Sequence, residues 1–278
     1  MSEDKKNFFN SLEPKSALIV GLISGILVLC TIGFIVMSAL FLSGNLGSCG
    51  GDEMLSLTDS VLAGGEQASA DVPKTDKPTV ELFVMSYCPY GLQMEKAFLP
   101  VMDLLKDEAT MDIKFVSYAM HGKKEIDENT RQYCIQKEQN GKFLDYMECF
   151  TGKDDSAGCL KASGIDEAKM NACVAKSDKD FGITAQYNDQ ASWLSGQFPI
   201  YPVHEELNEQ YGVQGSPTLV INGVEANASR SPEAIKQVVC SSFKTPPDLC
   251  KQILSNSAAG AGFGNTAGTA DASAGCGG

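Results

Sequence analysis

Of the ten cysteines in this 278-residue chain, Cys88 is the one whose surroundings point to chemistry. It follows the apolar, strand-like run Thr79-Val-Glu-Leu-Phe-Val-Met-Ser86, stands in Tyr87-Cys88-Pro89-Tyr90-Gly91, and precedes a helical pattern. A thiol at a helix N-terminus faces unpaired backbone N–H groups and the positive end of the helix dipole, and both favour an anion. Thiols in such settings titrate at about 3.5–7.5 rather than about 8.5. The thiolate is the form that attacks a disulfide sulfur and becomes a mixed disulfide. Pro89 would open the helix without losing a needed N–H, since the first helical position has no intrahelical partner. Tyr90 would wall a substrate groove.

The remaining cysteines divide by position. Cys134, Cys149, Cys159 and Cys173 lie in a helical stretch, where three pairings are open; a nested set, Cys134 with Cys173 and Cys149 with Cys159, suits helices folding back as a hairpin. Cys240 and Cys250 bracket Pro246-Pro247, and a bridge there would tie a terminal helix to the turn after it. The chain has no Cys-x-x-Cys pair and two histidines, so the close ligand spacing of a structural zinc site is missing and no metal or other cofactor is expected. Disulfides in an oxidising compartment account for the pattern. Cys49 and Cys276 are left over, both in Gly-rich segments. Each is a candidate resolving thiol for Cys88, or an incidental or intermolecular cysteine. About 24 flexible residues before Cys276 reach roughly 25–30 Å. His121, after the second predicted strand, could approach the thiol but reads as a loop histidine with solvent contact, and His204, at a predicted helix start, reads as solvent-facing.

The elements that must position Cys88 follow from periodicity and punctuation. Residues 79–86 read as a strand, 91–107 as a helix and 112–118 as a second strand, a βαβ unit with a parallel pair. A helical insertion occupies about 122–200, its core closed by Trp193, Phe198 and Tyr201. A helix at 203–211 leads into Gly215-Ser216-Pro217, then strands near 218–221 and 224–226. Ser231-Pro232-Glu233 is a helix start with a hydroxyl cap, a first-turn proline and an acid, and that helix runs to about Phe243.

An active-site cysteine after the first strand, with Ser216-Pro217 before a later strand, resembles the thioredoxin superfamily. The resemblance implies an α/β thioredoxin-like fold, with a cis-Pro217 whose Ser216 backbone lies beside the Cys88 sulfur and pairs with an extended substrate. The helical insertion is similar to that of the DsbA-type branch. The cysteine-rich insertion and the ending Val239-Cys240-Ser-Ser-Phe-Lys-Thr-Pro-Pro-Asp-Leu-Cys250 most resemble gamma-interferon-inducible lysosomal thiol reductases and their bacterial relatives. Residues 78–252 carry the likeness. One departure is chemical: Gly91 stands where a dithiol enzyme of this kind has its second cysteine, so a mixed disulfide must be resolved from elsewhere. The expected activity is that of a single-cysteine thiol–disulfide oxidoreductase or isomerase acting on exported cysteine-containing proteins or small thiols. The competing readings are a redox-inactive binding or chaperone module and, less suited to an exported chain, a monothiol glutaredoxin-like protein.

Outside that domain, Ala17–Leu42 is uncharged and would span roughly 39 Å as a helix, enough for a bilayer core. Lys5, Lys6 and Lys15 precede it and no Lys or Arg follows until Lys74, which places residues 1–16 in the cytoplasm and the rest outside. A cleaved leader has a shorter apolar region. Leu46-Gly47-Ser48-Cys49 also resembles a lipoprotein cleavage box, and that route likewise ends at a membrane face. Residues 43–77 read as a flexible tether and 253–278 as a disordered Gly/Ala/Ser tail. The net charge of −13 excludes a general nucleic-acid binder.

Overall fold

The computed structural model describes residues 72–268 and 275–277. The apolar run Ala17–Leu42, Cys49 and most of the tether lie outside the described residues, among which no helix is long and apolar enough to cross a membrane.

Strand β1 (Thr79–Val84) and strand β2 (Thr110–Phe115) pair in parallel, Thr79 opposite Thr110 and Val84 opposite Phe115. Helix α1 (Pro89–Leu105) makes the crossover between them. The short β3 (Gly215–Ser216) precedes β4 (Thr218–Ile221), which runs antiparallel to β1, and β5 (Val224–Glu225) completes the sheet in the order β2-β1-β4-β5. Parallel βαβ, antiparallel hairpin and a closing helix together make a thioredoxin-like α/β fold. The strands alternate as a sheet covered on both faces requires. Val80, Leu82 and Val84 meet Leu92, Phe98, Val101 and Leu105 in one cluster, whereas Phe83, Met85, Val116 and Val220 form a second on the other face.

The expected insertion is present as α2 (Lys123–Glu138), α3 (Phe143–Lys153), α4 (Ser156–Ala162), α5 (Glu167–Phe181) and α6 (Ile183–Asn188). Cys134 is bonded to Cys173, tying α2 to α5, and Cys149 to Cys159, tying α3 to α4. The chain returns through α7 (Glu205–Tyr211) to β3, and the last helix, α8 (Pro232–Ser241), is capped by Ser231, whose Oγ accepts the Ala234 N–H at 3.3 Å. Cys240 is bonded to Cys250 just beyond α8. Tyr201 packs edge-on to Phe115 and Trp193 beside Tyr187, but Phe198 turns toward Tyr118 on the sheet face opposite the main core.

Several sequence expectations are corrected here. The predicted tether is attached from Val72 onward, since Thr75 exchanges backbone hydrogen bonds with Ser242 and Lys244, each 2.9 Å. His204 does not face solvent. Its ring stacks on Phe115 and its Nδ1 accepts the Phe115 N–H at 3.0 Å. The described part of the tail is not free either. Lys96 Nζ donates to the carbonyls of Gly260, Gly262 and Gly264 at 2.7–2.8 Å, Gln93 Nε2 to Ala259 O at 2.8 Å, and Phe263 packs against Tyr87 and Phe150. Gly/Ala/Ser composition reports few apolar side chains. It does not report backbone carbonyls, which a half-buried ammonium takes as acceptors.

Candidate active site

Cys88 is the N-cap of α1, the residue whose side chain answers the first orphan N–H groups of the helix. Its Sγ accepts the Gly91 N–H at 3.3 Å and lies 3.4 Å from the Ser216 carbonyl oxygen. The Ser216–Pro217 peptide bond is cis. Ser216 Oγ accepts the Met85 N–H at 2.9 Å, which fixes the β3 backbone against the end of β1. The sulfur therefore sits between a helix N-terminus, which stabilises negative charge, and the edge of a two-residue strand. Cys88, Ser216 and Met85 are buried, Tyr90 and Gly91 line the turn above them, and Pro89 is exposed.

Two cations flank the tyrosines of the active-site turn. The Arg230 guanidinium lies 5.4 Å from the Tyr90 ring centroid and bonds Gln93 Oε1 at 3.1 Å; the Lys124 ammonium lies 4.0 Å from the Tyr87 ring centroid. Beside them, buried Glu125 accepts the N–H groups of Tyr87, Met120 and His121, and its Oε2 lies 2.6 Å from His121 Nδ1. His121 is thereby held to the loop next to the active-site turn rather than standing free in solvent. Glu125 gave no signal in the sequence, where it reads as one acid among many at a helix start.

Gly91 is tightly enclosed. A Cβ at that position would lie 2.6 Å from Ser216 Oγ and 3.2 Å from Met85 O. A second cysteine there would have to displace the Ser216 hydroxyl. The sulfur that meets Cys88 is instead Cys276, bonded to it with the Cα atoms 6.0 Å apart and 188 residues apart in sequence. Cys276 and Gly277 form strand β6, antiparallel to β3, with Ser216 opposite Cys276 and Gly215 opposite Gly277. An open groove of about 490 Å³ continues past Gly277 between Tyr118, Met120, Leu194, Phe198 and Val213.

No model of a known protein family matches the chain. Among curated proteins, vacuolar-sorting receptor 4 of Arabidopsis thaliana is 26% identical over 150 residues, covering 46% of this chain and 22% of that one. The chain thus spans about a fifth of that relative's length. Among solved structures, the reduced disulfide bond oxidoreductase DsbG of Mycobacterium tuberculosis is similar at 17% identity and a TM-score of 0.39, over 66% of this chain and 91% of that one. The thiol-disulfide oxidoreductase MdbA of Actinomyces oris is similar at 13% and 0.42, over 61% and 83%. Oxidised BdbD of Bacillus subtilis is similar at 17% and 0.40, over 62% and 91%.

Proposed function

We propose that this chain is a thiol–disulfide oxidoreductase that works on the extracytoplasmic side of a membrane, with Cys88 as the nucleophile and Ala17–Leu42 as its anchor. One observation supports it above the others: the Cys88 sulfur takes an N–H from the first turn of α1 while lying against the Ser216 carbonyl. The first contact lowers the cost of a thiolate, and the second sets that thiolate beside a backbone edge able to pair with an extended peptide. Partners are exported cysteine-containing proteins or small thiols, and the groove between Tyr118 and Phe198 takes the apolar residues flanking the substrate cysteine. The insertion disulfides and the Cys240–Cys250 closure support the resemblance to the lysosomal thiol reductase branch.

Complete burial of Cys88 favours a second reading, a binding module with no redox turnover. Peptide-resolved alkylation of Cys88 against pH, in the reduced full chain with a Cys88→Ser control, separates the two. Oxidoreductase chemistry requires an apparent pKa well below the roughly 8.5 of a free thiol. A profile centred at about 8–9 defeats it and leaves the binding module.

A further inference from the structure

The Cys88–Cys276 bond differs from the other three disulfides among the described residues in what it joins. Those three tie helices to their neighbours, whereas this one ties the sulfur at a helix N-cap to a cysteine lying along β3. The segment Gly275-Cys276-Gly277 is fitted to that edge atom by atom. A Cβ on Gly275 would lie 3.1 Å from Ser216 O, and one on Gly277, whose φ is +82°, would overlap the Tyr118 hydroxyl. From the domain side, a Cβ on Gly215 would lie 2.6 Å from Cys276 O. Glycines at 215 and 277 let the two backbones come this close. The preceding residues, Ala259 to Gly264, are held along α1 by Gln93 and Lys96.

We propose that Cys276 is the resolving cysteine of this protein, so that Cys88 and Cys276 form one redox couple split between the ends of the domain; the proposal rests on Cys88 being the nucleophile. In the reducing direction the Cys88 thiolate attacks one sulfur of a substrate disulfide. A Cys88–substrate bond forms and the other substrate sulfur leaves as a thiolate. The Cys276 thiolate then attacks Cys88 Sγ along the β3 edge. The Cys88–Cys276 bond forms, and the second substrate sulfur leaves as a thiolate. The protons lost by the two cysteines are taken up, through solvent, by the two substrate sulfurs. Two electrons pass from the cysteine pair to the substrate, and the reverse sequence oxidises a substrate dithiol with no other oxidant. Ser216 is the shared backbone partner. The tail strand and an incoming substrate strand need the same edge, so entry of Cys276 also displaces the substrate.

Acid-quenched mass spectrometry of the reduced full chain, mixed with a micromolar disulfide-bonded peptide, tests this. The wild-type chain passes through a short-lived Cys88–peptide adduct to Cys88–Cys276, while Cys276→Ser accumulates the adduct. A tethered thiol has an effective concentration near millimolar, so the adduct decays about 100-fold or more faster in wild type than in the variant. Gly277→Val keeps the thiol but cannot seat beside Tyr118, and its adduct must also persist. Adducts that form on Cys88 and decay equally in all three proteins overturn the role of Cys276 alone. Absence of any Cys88 adduct in Cys276→Ser overturns the nucleophile itself, and the couple with it.

Discussion

Ser216 Oγ occupies the space that any side chain at Gly91 would need, 2.6 Å from where its Cβ would stand. The hydroxyl is held there by the Met85 N–H, which is buried and would otherwise lack an acceptor. The missing cysteine of the active-site turn and the hydroxyl before Pro217 are therefore one packing arrangement. Gly91→Ala overpacks this spot, and such insertions cost about 1–3 kcal/mol. In a Ser216→Ala background the same substitution meets a smaller neighbour. A double-mutant cycle by denaturant unfolding is expected to show favourable coupling of about 0.5–3 kcal/mol between the two changes. Helix propensity is gained equally in both backgrounds and cancels. Additive losses would mean that the hydroxyl moves aside at little cost.

Glu95 lies on α1 two turns beyond Cys88, fully buried, with neither carboxylate oxygen hydrogen-bonded. Burial pushes its pKa well above the usual carboxylate range; the nearby Glu128 pushes the same way, and Lys96 partly opposes them. A carboxyl whose folded pKa is raised binds its proton more tightly in the native state, so its stability contribution is complete below the unfolded value of about 4.3 and falls as pH rises toward the folded one. Glu95→Gln keeps the neutral shape. The variant is expected to hold its Tm between pH 5 and 8 better than wild type, measured by thermal unfolding at matched ionic strength. Parallel curves for the two proteins would show that Glu95 is ionised and solvated in the fold.

The core strands, Cys88 at the head of α1 and the Ser216-Pro217 turn were legible because each is signalled by neighbours in sequence: alternation, a proline at the first helical position, a proline before an apolar run. The C-terminal segment was not, and the reason lies in α1. Its apolar periodicity leaves Gln93 and Lys96 on a polar face, which from sequence alone reads as solvated. In the fold that face is where Gln93 and Lys96 take the tail carbonyls. His204 was misplaced for a related reason, because the donor that buries it, the Phe115 N–H, is 89 residues away. The glycines around Cys276 were visible, but as a flexible composition. That they meet close neighbours is seen only with the opposing residues, Gly215, Ser216 and Tyr118, in place.

His204 makes the opposite pH prediction to Glu95. Burial lowers its pKa to about 3, with the Lys114 ammonium adding to the effect. An imidazole that is neutral when folded but protonates near pH 6.5 when unfolded favours the unfolded chain in acid. Stability from this residue is complete above about pH 6.5 and is lost as pH falls toward 3. Asparagine can accept the Phe115 N–H and does not titrate. Thermal unfolding of His204→Asn against wild type should show a smaller loss of Tm between pH 7 and 4.5. Equal acid losses in both proteins would place the sensitivity elsewhere, as it would be if the imidazole turned out to water on protonation.

The two insertion disulfides close loops of different length, and the difference is measurable. Cys149–Cys159 spans 10 residues and Cys134–Cys173 spans 39. If the bonds act by restricting the unfolded chain, loop entropy gives about 3 kcal/mol for the shorter and about 4 kcal/mol for the longer. The longer bond also sits deeper, with Cys134 fully buried, so a paired serine replacement there must also bury two hydroxyls, with the Ser177 hydroxyl beside both positions. Denaturant unfolding of Cys134→Ser/Cys173→Ser should therefore show the larger loss, and Cys149→Ser/Cys159→Ser the smaller. Alanine pairs isolate the loop effect from the buried hydroxyls. If the alanine pairs reverse the order, stabilisation by these bonds comes from packing of α3 on α4 and not from restriction of the unfolded chain.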